Sequence, residues 1–235
     1  MKLLQSGIKV CALLIASILA SGPFGLALVS IIQPQVKWQG AGSFVANFSY
    51  IQTLPYFFGF ALVVFSIWLI AIIYHSASEE KRGLMLPSLV FAAIYAALVS
   101  FNYILQTTFI PALALKGGDG ANILISALSM SNPNSLAWAI EMYGYMFLGL
   151  ALLWLLPYFQ VSGRSRLAGL NLWIRRLLIA NAVLSIAGAI ITSFKLDWVL
   201  TDAGLASFVS WNLIFLAIVF LIRLNWSRKL AAGKA

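Results

Sequence analysis

The chain has 235 residues, of which 62% are hydrophobic and 9% charged, with a net charge of +9. A soluble domain is nearer ~45–50% apolar and ~25% charged, so this composition excludes an ordinary water-soluble fold and calls for lipid as solvent. The basic residues sit at the ends of apolar segments and not on one domain face, which argues against nucleic acid as a partner.

Six apolar runs follow one another, and six spans of roughly 20 residues use up the length. The expectation is an all-α, polytopic membrane protein: a six-helix transmembrane bundle forming a single transmembrane domain over residues 1–235. The first span covers 8–32. A secretory signal peptide is the rival reading, but the run continues well past Ala20, and Ile18 and Ala20 make a poor small-x-small cleavage site, so a retained helix is expected. Ser21-Gly22-Pro23 within it predicts a kink, since proline removes a backbone donor and clashes with the preceding turn.

The second span is placed at 54–74, with Pro55 in its first turn. A short charged loop, Glu79-Glu80-Lys81-Arg82, precedes the third span at 84–110, which Pro111 is expected to end. The fourth, 136–156, stops at Pro157. Leu170 to Arg176 mixes apolar and basic residues and is expected to lie along the inner membrane surface before the fifth span at 177–194. The sixth is 203–222, closed by Arg223. Between spans, 33–50 and 111–135 are the long connections, and Ala121 to Met130 suits a short interfacial helix.

Orientation follows from lysine and arginine bias. Alternate connections carry Lys2, Lys9, Lys81, Arg82, Arg164, Arg166, Arg175, Arg176, Arg223, Arg228, Lys229 and Lys234, twelve of the fifteen basic residues. The remaining connections hold Lys37, Lys116 and Lys195. Both termini are therefore expected in the cytoplasm, in a plasma membrane of prokaryotic inner-membrane type. Trp138 and Trp198 at outer ends, and Trp154, Trp173 and Trp226 at inner ends, read as headgroup-level anchors.

Polar residues inside spans recur at helical spacing. Asn181, Ser185, Gly188 and Thr192 share a face of the fifth span; Tyr95, Asn102 and Gln106 one of the third; Gln52, Tyr56, Gly59, Val63 and Ser66 one of the second; and Glu141, Gly144, Tyr145, Leu148 and Gly149 one of the fourth. Such stripes should face the bundle interior, and small and hydroxyl residues there are what membrane helices use to approach one another. The segments around Asn102 and Asn212 resemble each other, Val99-Ser100-Phe101-Asn102 against Val209-Ser210-Trp211-Asn212, and place both asparagines at one depth.

Glu141 stands apart as the only acidic residue within an apolar span. It lies roughly 7–8 Å into its helix at 1.5 Å per residue, in the outer half of the membrane. Asn102, Gln106, Asn212, Tyr56 and Tyr145 reach the same layer, which makes these six residues the candidate ligand-binding set. A buried carboxyl among amides and phenols suits a cationic or hydrogen-bonding ligand, or a proton, and intramembrane acids are functional by default. The bland alternative is that Glu141 only locks helices together. Cys11 stands alone, so no intramolecular disulfide can form, and His75 is the one histidine, so no metal or cofactor is expected. Three functions remain: a protein that binds or transports a small or lipidic molecule through an outward-facing polar pocket, a membrane enzyme using Glu141 as acid or base on a lipid or isoprenoid, or an accessory subunit. Besides the lipid bilayer, a small-molecule or lipid ligand is the partner expected.

Overall fold

A computed structural model describes residues 1–34, 37–161 and 166–232. Arg164 and Lys234, two of the residues counted for orientation, lie outside the described residues. Six helical stretches are long and apolar enough to cross a membrane. In chain order the helices are α1 (Lys2–Ser21), α2 (Pro23–Ile32), α3 (Ala41–Ala46), α4 (Leu54–His75), α5 (Glu79–Ile104), α6 (Ile110–Lys116), α7 (Asp119–Leu128), α8 (Leu136–Leu153), α9 (Arg166–Phe194) and α10 (Asp202–Ala232).

The long helices form a closed ring in sequence order. α1 packs on α4, α4 on α5, α5 on α8, α8 on α9, α9 on α10, and α10 returns to α1. Small residues set the close approaches, since they let the backbones of neighbouring helices come near one another. Gly7 lies directly beneath the Trp226 ring, Gly59 beneath Tyr103, Gly144 beneath Val99, and a Cβ on Gly149 would come within 2.8 Å of the Ser185 Cβ. One apolar core fills the ring, including Leu14, Ile73, Met85, Val99, Leu148, Phe215 and Trp226. A second, small cluster gathers Ala41, Ile110, Leu113, Ala121 and Ile125 with Trp38 and Phe44 at the end that carries the two long connections.

Several expectations need correction. The first span is two helices, not one kinked helix: Gly22 takes an extended conformation (φ −85°, ψ −160°) and Pro23 opens α2. Glu79-Glu80-Lys81-Arg82 is the first turn of α5, following Ser78, and not a loop; carboxylates there favour the positive helix end. Pro111 does not end the third span. A π-helical turn at Leu105–Phe109 widens the backbone, and helix α6 continues to Lys116 with Pro111 in its first turn. The Thr107 hydroxyl donates to the Tyr103 carbonyl (2.7 Å) and the Thr108 hydroxyl to that of Ile104 (2.5 Å), so side chains supply donors where the regular ladder is disturbed.

Leu170 to Arg176 is not a separate surface segment; it continues α9, with Ile174 fully buried. The sixth helix runs on past Arg223 to Ala232. Trp154 and Trp173 are exposed, but Trp226 and Trp198 are not the headgroup anchors expected of them. Trp226 is core and donates to the Tyr158 hydroxyl (3.1 Å), while Trp198 donates to the Thr192 Oγ1 (2.7 Å). At the other end of the ring from the long connections, Arg82 caps α4 by donating to the His75 carbonyl (2.9 Å), and Asn225 donates to Asn171 (2.8 Å).

Candidate functional site

The Tyr95, Asn102 face of α5, which Gln106 continues in the π turn beyond, meets the Glu141 face of α8 along the most extensive helix contact in the ring. Glu141 lies four residues after Ala137 and four before Tyr145, so one side of α8 presents a small residue, an acid and a phenol in successive turns. The acid is buried, 6% exposed. Asn102 Nδ2 donates to Glu141 Oε2 at 2.8 Å, and the Tyr103 hydroxyl donates to Oε1 at 2.9 Å. Tyr103 and Tyr145 hydroxyls lie 2.9 Å apart. With the Tyr103 hydrogen directed at the carboxyl, Tyr145 is the donor in that contact.

The network runs on from Asn102. Gln106 Nε2 donates to Asn102 Oδ1 (3.3 Å) and to the Leu128 carbonyl (2.9 Å), and its Oε1 accepts from the Met130 backbone N–H (3.0 Å). Gln106 thus holds the segment after α7 as a backbone partner would. Trp138 closes the same corner by donating to the Met130 carbonyl (2.9 Å). Because Asn102 Oδ1 receives Gln106, its amide nitrogen is the end that faces Glu141. A linked chain of this kind polarises and orients each of its members.

Beside it lies a cavity of about 470 Å³ at the end with the long connections. Five of the six candidate residues, Tyr56, Gln106, Glu141, Tyr145 and Asn212, line it; Asn102 stands behind Glu141, fully buried. The structure does not place all six in hydrogen-bonding contact. Asn212 donates to the Phe208 carbonyl of its own helix (2.9 Å), and its Oδ1 sits against Gly22 at the break between α1 and α2. Tyr56 meets Tyr103 ring to ring at 5.8 Å.

Tyr103 is the residue that reading the chain missed. It occupies the position after Asn102 and three before Gln106, so it falls at the border of the polar stripe, and its ring enters the site because Gly59 on α4 leaves room. Trp211 was also missed. It donates to Ser185 Oγ (2.9 Å) and packs edge-on against Tyr145, 4.7 Å between centroids, joining α9 and α10 to the site. A bulky aromatic in an apolar helix gives no periodic signal of its own. Over the cavity, Trp38, Phe44 and Phe48 come from the connection after α2, and exposed Lys37 stands at its rim.

Among the described residues no three His, Cys, Asp or Glu side chains gather in a way that could hold a metal. No family model matches the chain, and no curated protein or solved structure is significantly similar to it. The site's chemistry rests on its own geometry: one carboxyl fixed by two donors, at the wall of a largely apolar and aromatic cavity.

Proposed function

We propose that the chain is a multi-pass plasma-membrane protein of prokaryotic inner-membrane type, with both termini cytoplasmic, that binds or moves a small or lipidic molecule in an outward-facing cavity at Glu141. The carrying observation is the cavity itself, walled by polar groups from several helices around one buried acid. Its volume falls within the ~300–1,000 Å³ of small-molecule pockets, and a few convergent polar groups on apolar walls are what such pockets use to orient a ligand. A buried acid inside a membrane is costly and is retained mostly where it faces a pathway, a ligand or a polar partner. The basic residues of alternate connections support the orientation, which puts the long connections and the cavity outside.

An accessory role is the second reading, favoured by Glu141 accepting both of its hydrogen bonds from α5 and so tying α5 to α8. Native mass spectrometry of protein extracted in mild detergent separates the two, run on wild type and on Glu141→Gln. The expected result is a co-purifying molecule retained by wild type and lost from a variant of unchanged melting temperature. A stable Glu141→Gln protein with full cellular activity, and no molecule bound to either form, would sink the binding reading. Incubating the complex and finding the molecule chemically altered would instead mark an enzyme.

A further inference from the structure

The wall chemistry narrows the ligand class. Glu141 accepts one hydrogen bond at each oxygen, and a carboxylate has about four acceptor positions. Both donors are neutral, an amide and a phenol, and among the described residues no lysine, arginine or histidine pairs with it. The acid therefore keeps acceptor capacity toward the cavity and lacks a countercharge. Around that capacity stand aromatic rings. Tyr56, Tyr103, Tyr145 and Trp211 all line the cavity. Tyr56 and Tyr103 are tilted by 45°, and Tyr145 and Trp211 by 70°, so neither pair is stacked face to face.

Aromatic faces attract cations through their quadrupole, most strongly where water is excluded, and aromatic cages for organic ammonium groups use this chemistry. A neutral ligand would leave the aromatic quadrupoles without a positive partner, and an anionic one would meet Glu141 without a countercharge. Lys37 does not reverse the sign: it is exposed at the rim, where salt screens it, whereas Glu141 is buried.

We infer that the molecule bound in this cavity carries an organic cation, an alkyl- or arylammonium group, with its charge at Glu141 and its apolar part against the aromatic walls. The inference rests on the cavity being a binding site.

The test measures binding of tetraphenylphosphonium to the full chain in dodecyl maltoside micelles by equilibrium dialysis. The oppositely charged isostere tetraphenylborate and the neutral triphenylphosphine oxide are run beside it. Phosphonium is expected to bind one per chain and at least about tenfold tighter than either comparator. Glu141→Gln should weaken it about tenfold or more and erase the discrimination by charge. Tyr56→Leu should weaken it about three- to tenfold, as loss of one cation–aromatic contact predicts. Borate or the oxide binding as tightly as phosphonium, or Glu141→Gln leaving phosphonium affinity unchanged, overturns the cation class while the cavity reading stands. No one-to-one binding of any of the three overturns both. Adding phosphatidylethanolamine to the micelles locates the source: competition assigns the cation to a lipid headgroup, and unchanged binding assigns it to a free amine.

Discussion

Replacing Glu141 by alanine and by glutamine should give clearly different results for stability, and the difference can be worked from the hydrogen bonds. Alanine removes the acceptor of Asn102 Nδ2 (2.8 Å) and of the Tyr103 hydroxyl (2.9 Å). A hydrogen bond contributes about 0.5–1.5 kcal/mol between neutral groups and about 1.5–3 kcal/mol to a charged one, so two amount to about 1–6 kcal/mol. Both donors retain a second partner. Asn102 Nδ2 still reaches the Ala137 carbonyl and the Met130 sulfur at 3.3 Å, and Tyr103 can turn its hydrogen to Tyr145 at 2.9 Å. The desolvation penalty is thereby partly avoided, and about 2–4 kcal/mol is expected for Glu141→Ala. Glutamine keeps the shape. Its amide oxygen accepts from Asn102, its NH₂ donates to the Tyr103 oxygen, and the Tyr103 hydrogen swings to Tyr145, whose own hydrogen then turns to the cavity it lines. Glu141→Gln should therefore lie within about 1 kcal/mol of wild type. Equilibrium unfolding in mixed dodecyl maltoside and dodecyl sulfate micelles measures both. Glutamine costing as much as alanine, or alanine costing less than about 0.5 kcal/mol, would refute the network as the source of stabilisation.

Two further outcomes follow from the same structure. Gln106→Leu removes the bonds to the Leu128 carbonyl and from the Met130 N–H, so it should cost about 1–3 kcal/mol and speed hydrogen exchange at 128–131, with α9 and α10 unchanged. Orientation is tested in a Cys11→Ala background, where single cysteines replace glycines with open space around them. A membrane-impermeant maleimide added to intact cells should label Gly42→Cys and Gly120→Cys but neither Gly83→Cys nor Gly169→Cys, and the reverse pattern would invert the topology.

What was legible in the chain was what depends on local chemistry. Apolar run length located all six long helices, and the polar stripes at helical spacing do face inward: Asn181 is fully buried, and Ser185 and Thr192 accept from tryptophans. The helix ends were less legible. Charged residues at 79–82 and at 223, 228 and 229 look like loop, yet α5 and α10 include them: the acids suit a helix start, and Asn225 and Trp226 are buried against neighbouring elements. Pro111 reads as a terminator, yet one wide turn and two threonine hydroxyls carry the backbone past it. Tyr103 and Trp211 were hidden for another reason. Their roles depend on Gly59, Glu141 and Ser185 on other helices, and pairing between helices leaves no period in either one.

The irregular backbone and the cavity occur together, and this favours a purpose beyond packing. The extended Gly22 that separates α1 from α2, and Gln106 within the π turn, are both part of the cavity wall. In the membrane-spanning reading, such interruptions expose backbone groups that lipid cannot satisfy, so they persist only where protein or a polar cavity adjoins them. A bundle selected for helix contact alone would continue the close packing seen beneath, where Gly7 admits Trp226 and Gly149 admits Ser185. Here Gly22 instead brings the backbone break against Asn212, and Gln106 carries the network to Asn102 and on to Glu141. π turns recur at functional sites because the extra residue re-aims a side chain that a regular helix would misplace. Forcing α-helical geometry on 105–109 with every residue kept would rotate all that follows by up to about 100°, one residue at 3.6 per turn. That would carry α6 out of register with the outer cluster it now forms with α3 and α7 while leaving Asn102 and Tyr103 in place. The wide turn is thus what lets one helix serve both the acid below and the cap above.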